Sequence, residues 1–193
     1  MKKTQKLVTV DKTVYSVGYL RLVSWHTLKE AKENETGWYL NCMSSMVFSA
    51  FTIEAYLNHL GGNTISFWLT IERNLSPIKK LEIIAKQFSI SIDYGARPFQ
   101  SFKPLFKFRD FLAHGRTEQI EIKSVQVLAE GEQPKLPITK WQEQVTLENA
   151  KKYFDDVKEM IEFLHANSGD DLNPLFMPET GGWLITPINS NSY

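Results

Sequence analysis

Within this 193-residue chain, the stretch PFQSFKPLFKFRDFLAH carries an arginine, an aspartate and a histidine close to its end: Arg109, Asp110 and His114. Asp110 and His114 are four residues apart, so on a helix they share a face and the carboxylate can orient the imidazole and fix its tautomer. Arg109 precedes His114 by five residues, roughly 140° around an ideal helix. The two therefore meet at a frayed terminus, or across two copies of the helix packed about a two-fold axis. This set suits phosphodiester cleavage. A neutral histidine can take the proton of a ribose 2′-hydroxyl, while a guanidinium holds the charge that develops on the phosphorane. Because that nucleophile is internal to RNA, the chemistry needs no metal or other cofactor.

The surroundings reinforce the pair. Between Arg97 and Thr117 stand five basic residues (Arg97, Lys103, Lys107, Arg109, Arg116) against one acid, and between Thr146 and Asp171 three lysines against seven acids. Lys103, Lys107 and Arg116 are thus candidates to attract an RNA backbone. Solvated helix faces would give the same charge pattern. Glu54 is a second candidate, because it shares the stripe Met43, Val47, Ala50 and Leu57 on an apolar helix, where an unpaired carboxylate is costly. It either pairs with a basic residue for structure or lines the site near Arg109. Arg21 and His26 repeat the spacing of Arg109 and His114, but Leu22 follows the arginine and no glycine ends the helix, so that pair is set aside. His26, His59 and His165 read as ordinary helix residues, His59 as a helix-end histidine. Asp155-Asp156 and Asp170-Asp171 read as exposed helix face and loop.

Other chemistries lack their motifs. No glycine-rich phosphate loop, dinucleotide fingerprint, nucleophile elbow or His-Glu-x-x-His helix occurs, and the four histidines show no metal-ligand spacing. A single cysteine, Cys42, excludes an intrachain disulfide. Twenty-two basic residues offset 22 acidic ones, so no overall field favours a polyanion or a membrane. After the lysines of MKKTQKLVTVDK only Leu7, Val8 and Val10 precede Asp11, far short of a signal peptide, and the longest charge-free run, Gly37 to Ile53, holds five polar residues. The expectation is a cytoplasmic protein with no membrane partner.

The elements that must position these residues are mainly helical. Helical periodicity runs from about Thr13 to Glu33, then from about Trp38 to Leu60 in a helix apolar nearly all round, stopped by Gly61-Gly62. A short apolar piece spans Ile65 to Ile71, and Ser76-Pro77 opens a helix with the stripe Leu81, Ile84, Ala85 and Phe88. The phenylalanine-rich helix starts between Pro98 and Pro104, is anchored by Leu105, Phe108 and Leu112, and ends at Gly115. Residues 118–145 alternate loosely and suggest a small β-hairpin. A closing helix follows from the Thr146 cap, over about 146–167, with Ala150, Phe154, Val157, Ile161 and Leu164 inward. The tail, 168–193, reads as irregular, yet it carries enough apolar residues to lie against the domain or a second subunit. One domain over 1–193 is expected.

FRDFLAHGR resembles the signature of the HEPN superfamily, an arginine and a polar residue, a short gap, then histidine. FTIEAYLNHLGG is similar to the second helix of those bundles, SPIKKLEII and GARPFQ stand where related bacterial proteins carry similar text, and ENAKKYFDDVKEMIEFLH is similar to a closing helix. The likeness covers about Trp38 to Arg116 and implies an up-and-down helical bundle. It implies further a metal-independent endoribonuclease acting as a homodimer, often a toxin or defence effector with an antitoxin or regulatory partner. Arg109 and His114 then match the active pair and Asp110 the polar residue. Other members are non-catalytic dimerisation or binding modules, which would make Arg109 a structural ion pair and His114 a helix-terminal residue. The 118–145 segment is no part of the minimal bundle.

Overall fold

A computed structural model describes residues 6–187 apart from 124–126, 128, 130 and 135. Its elements are β1 (Lys6–Val14), α1 (Ser16–Glu33), α2 (Trp38–Thr64), α3 (Trp68–Ile71), α4 (Pro77–Gln87), α5 (Phe102–Ala113), α6 (Lys140–Glu143), α7 (Leu147–Ala166) and β2 (Glu179–Pro187). Single 3₁₀ turns at Glu72–Asn74 and Phe99–Ser101 lead into the loop before α4 and into α5. The architecture is mainly helical. α2 is central: α1, α7, α4 and α5 all pack on it, and its buried residues, among them Cys42, Met46, Ala50, Ile53, Tyr56 and Leu60, fill one half of the helix, while the other half is half-buried at Met43, Val47 and Ala55 and exposed at Phe51.

Small residues set the closest crossing. Ser24 of α1 is buried against α2, donating its hydroxyl to the carbonyl of Ser45 at 2.9 Å and lying 2.8 Å from Ser49 Oγ. Burying hydroxyls in pairs lets two backbones approach without leaving an unmatched polar group. α7 closes the bundle, and the Thr146 hydroxyl accepts the Asn149 N–H at its start, as the cap at Thr146 predicts. Its inward face includes a residue that the charge pattern assigns to solvent. Asp156 is fully buried, because Arg97 (Nε at 2.7 Å) and the Ser101 hydroxyl both bond its carboxylate. The pair ties α7 to the turn before α5.

Three expectations are corrected. α2 does not stop at Gly61-Gly62 but continues to Thr64. Gly61 is needed there for contact, since a Cβ on it would lie 2.2 Å from the fully buried Trp68 indole. Among the described residues of 118–145 no strand forms (Val125 and Leu128 lie outside those residues). Instead, Thr139 and Gln142 form a reciprocal capping box that starts α6, a local bonding pattern that competes with a ladder. The tail is not wholly irregular either, for β2 pairs antiparallel with β1 in register from Lys6↔Pro187 to Val14↔Glu179. Every β1 side chain is exposed, so the ribbon gains little from burial. Its anchor is at its base, where Tyr15 N–H bonds Pro178 O at 2.7 Å, Tyr19 Oη donates to Glu179 at 2.8 Å, and Gly18 leaves room for Pro178. Leu175, just before it, is buried in the core, but Phe176, Met177, Trp183, Leu184 and Ile185 are exposed, so the expectation that the tail's apolar residues lie against the domain holds for Leu175 and not for these five.

His59 has its side chain largely covered, edge-on to Tyr15 at 5.7 Å between ring centres, with Nε2 3.7 Å from Asp170. Burial holds its pKa below the ordinary 6.5, although Asp170 pulls the other way. The folded protein therefore binds less proton at this site than the unfolded chain. Stability from neutral His59 is full above about pH 6.5 and falls as the pH drops below it. Thermal melts between pH 8 and pH 5 are expected to show this decline, and His59→Gln to flatten it. Gly61→Ala is expected to lower stability by about 1–3 kcal/mol in urea titrations, the cost of overpacking a filled site.

Candidate functional site

α5 owes its position to both its flanks. The Arg97–Asp156–Ser101 contacts fix its entry, and Phe102, Leu105, Phe106 and Phe108 bury its inner side. Leu105 and Phe108 are buried as their spacing predicts, and Leu112 is half-buried. Helix geometry then leaves Lys103, Lys107, Asp110 and His114, at i, i+4, i+7 and i+11, along one outward stripe, and all four are exposed. His114 is the residue that caps the helix C-terminus, its N–H bonded to Asp110 O at 3.0 Å.

Arg109 lies off that stripe and turns towards α2. Its Nη2 donates to Glu54 Oε2 at 2.9 Å, and Nη1 is 3.1 Å from Asp110 Oδ1. The other Glu54 oxygen accepts from Lys80 Nζ of α4 at 3.0 Å. Glu54 therefore stands between two cations and ties α2, α4 and α5 together. Its two possible roles coincide, since the basic partner it takes for structure is Arg109 itself. The Arg109 guanidinium also lies over the Phe106 ring, 5.2 Å from its centre, and its buried Nε has no hydrogen-bond partner among the described residues.

The two ends of the motif thus face apart. No hydrogen bond or ion pair among the described residues joins Arg109 to His114, and the Asp110 carboxylate meets Arg109 rather than the His114 imidazole. Within one chain the structure brings together Arg109, Asp110 and Glu54, with His114 on the adjoining outer face. Of the backbone-binding candidates, Lys103 and Lys107 border an open groove of about 370 Å³ between α5 and the start of α4, floored by Phe102, Phe106 and Ile78. Lys103 Nζ sits 4.5 Å over the Tyr94 ring. Arg116, just beyond the helix, is exposed.

Lys80 is the member that no motif singles out. A signal for it exists: Lys80 precedes Ile84 by four residues, on the apolar side of α4, where a charge needs a partner. Only 5% of Lys80 is exposed, and the partner is the equally misplaced carboxylate on α2. Among the described residues no three His, Cys, Asp or Glu side chains cluster as metal ligands, and no helix is long and apolar enough to cross a membrane.

No family model, curated protein or solved structure matches the chain. The geometry stands by itself.

Removing the Glu54 carboxylate strands two cations in a poorly hydrated place. Glu54→Ala is expected to cost roughly 3 kcal/mol, where the ranges for an unsatisfied buried group and a broken buried pair meet. Chemical denaturation measures it, and a double-mutant cycle with Lys80→Met is expected to recover part of the loss.

Proposed function

We propose that the chain is a metal-independent endoribonuclease of HEPN type, whose site is completed when two copies bring the ends of α5 together. The observation that carries this reading is the outward stripe of Lys103, Lys107 and His114 beside a guanidinium held in place by Glu54. The two lysines and Arg116 draw in the RNA backbone. Neutral His114 removes the proton from a ribose 2′-hydroxyl, and the 2′-oxygen attacks the adjacent phosphorus. The bond to the 5′-oxygen breaks, leaving a 2′,3′-cyclic phosphate, and a protonated imidazole returns a proton to the departing oxygen. Arg109, supplied across the two-fold axis, neutralises the phosphorane. Asp110 positions Arg109 in this scheme. A toxin or defence role with an antitoxin or regulatory partner, and a cytoplasmic site of action, belong to the same reading.

A second reading, a non-catalytic dimerisation or binding module, is favoured by one observation. Arg109 already contacts two carboxylates, as a structural ion pair would.

Incubating mixed cellular RNA with purified protein in EDTA separates the two. The wild type is expected to cut and to leave cyclic phosphate ends, His114→Ala to be slower by about 10²–10⁴, the usual share of a general acid–base group. Cleavage should weaken steeply with added salt. Undiminished cutting by a folded His114→Ala protein would overturn the nuclease assignment, and no cutting by either protein would favour the binding module.

A further inference from the structure

Among the described residues of the segment between α5 and α7 no strand forms, and those residues line a cavity instead. Together with α5 it walls a cavity of about 560 Å³, lined among others by Lys107, Phe111, Ile120, Trp141, Glu143 and Gln144. Pockets for small ligands fall at roughly 300–1,000 Å³. Phe111 and Trp141, both in its lining, stack on each other with ring centres 6.0 Å apart and planes 29° from parallel. Trp141 is half-buried on α6, a single turn of helix held by the Thr139–Gln142 capping box at one end and by the buried Val145 just past the other. Its indole is therefore presented by a fixed piece of backbone.

The position of the cavity is what gives it meaning. Lys107, Phe111 and His114 follow one another at i, i+4 and i+7, so the aromatic wall is one helical turn from the imidazole, with a cation on the turn before it. The wall combines flat aromatic rings with an amide and a carboxylate at its rim, from Gln144 and Glu143. Aromatic faces stack on any unpaired base, and such rim groups can pair with a base edge.

We propose that this cavity is a base subsite for single-stranded RNA, in which one unstacked base lies against the Phe111–Trp141 pair while the neighbouring phosphate passes Lys107 towards His114. The proposal rests on the ribonuclease reading of His114 for its substrate class, and it assigns a task to the part of the chain that the minimal bundle lacks. A duplex does not fit, because its bases are already stacked and paired.

Binding of short RNAs tests it without relying on cleavage. In a His114→Ala background, the affinities of A, C and U hexamers and of a duplex of the same length would be measured by fluorescence anisotropy. Trp141→Ala is expected to weaken the best single-stranded hexamer by about 10- to 100-fold, the share of one stacked base, and to leave the duplex within about twofold. Trp141→Phe is expected to retain most of the affinity, and Phe111→Ala provides a second variant should Trp141→Ala fold poorly. Equal hexamer affinity with and without Trp141 overturns the proposal, as does an equal loss for hexamer and duplex that phenylalanine fails to rescue. The two readings fail separately. If wild type cuts no RNA while hexamer binding still depends on Trp141, the ribonuclease falls and the pocket stands. Cleavage that needs His114 but is indifferent to Trp141, in rate and in cutting preference, leaves the ribonuclease and removes the pocket.

Discussion

Glu54 sits on the helix against which the other long helices pack, and its two oxygens are taken by cations from two different helices, Lys80 of α4 and Arg109 of α5. A carboxylate on an apolar helix is tolerable only with such partners, and partners so placed are held in turn. The arrangement decides which way α5 is rotated. With Arg109 drawn towards α2, the phenylalanines between Phe102 and Phe108 enter the core, and the opposite side of the helix is left for Lys103, Lys107 and His114. A rotation of α5 by one residue, about 100°, would break the ion pair and expose phenylalanine together. Charge pairing and hydrophobic burial thus specify the same orientation.

A second buried carboxylate does the same for the start of that helix. Asp156 is fully enclosed and is matched by Arg97 and Ser101, so the chain enters α5 at a point fixed by α7. Both anchors use an arginine from the basic stretch 97–117. Two of its five cations therefore hold the fold, and three, Lys103, Lys107 and Arg116, remain turned to solvent. The basic character of the stretch is thus divided between structure and an outward field, where charge counting alone assigns all of it to one purpose.

How much of this the sequence discloses follows the range of the interaction. The helices are legible because their signals are local: the stripe Leu105, Phe108 and Leu112, the cap at Thr146, and the Ser76-Pro77 start each lie within one or two turns. Glu54 is legible as a problem, an acid on an apolar stripe, but its solution needs residues 26 and 55 positions away. Asp156 is misread because the local sequence does not set it apart from its half-buried neighbour Asp155, and only the fold brings Arg97 to it. The β1–β2 ribbon is least legible of all. Its strands are separated by more than 160 residues, and β1, with every side chain exposed, carries no clear alternation of buried and exposed positions for a period-two search to find. Over 118–145 a loose alternation is present without a partner strand among the described residues, and the stronger local signal, the capping box at Thr139, prevails.

The candidate site inherits a constraint from these anchors. A phosphate that reaches Arg109 must compete with the carboxylates already there, and the two are unequal. Glu54 is largely covered and shares its charge with Lys80, so displacing it leaves two cations and one acid to be rehydrated in a confined space. The Asp110 side chain is 53% exposed and adjoins Arg109 from the solvent side, and it can turn to water at little cost. In the ribonuclease reading an incoming phosphate would therefore exchange with Asp110 and not with Glu54. In that reading Asp110, the polar residue next to the arginine, would serve as an internal stand-in for phosphate that keeps the guanidinium in position until substrate arrives. Glu54 fixes where the arginine is, and Asp110 sets how readily it is given up. In the binding-module reading the same two carboxylates neutralise the arginine permanently, so at the arginine the two functions differ in the strength of the Arg109–Asp110 contact.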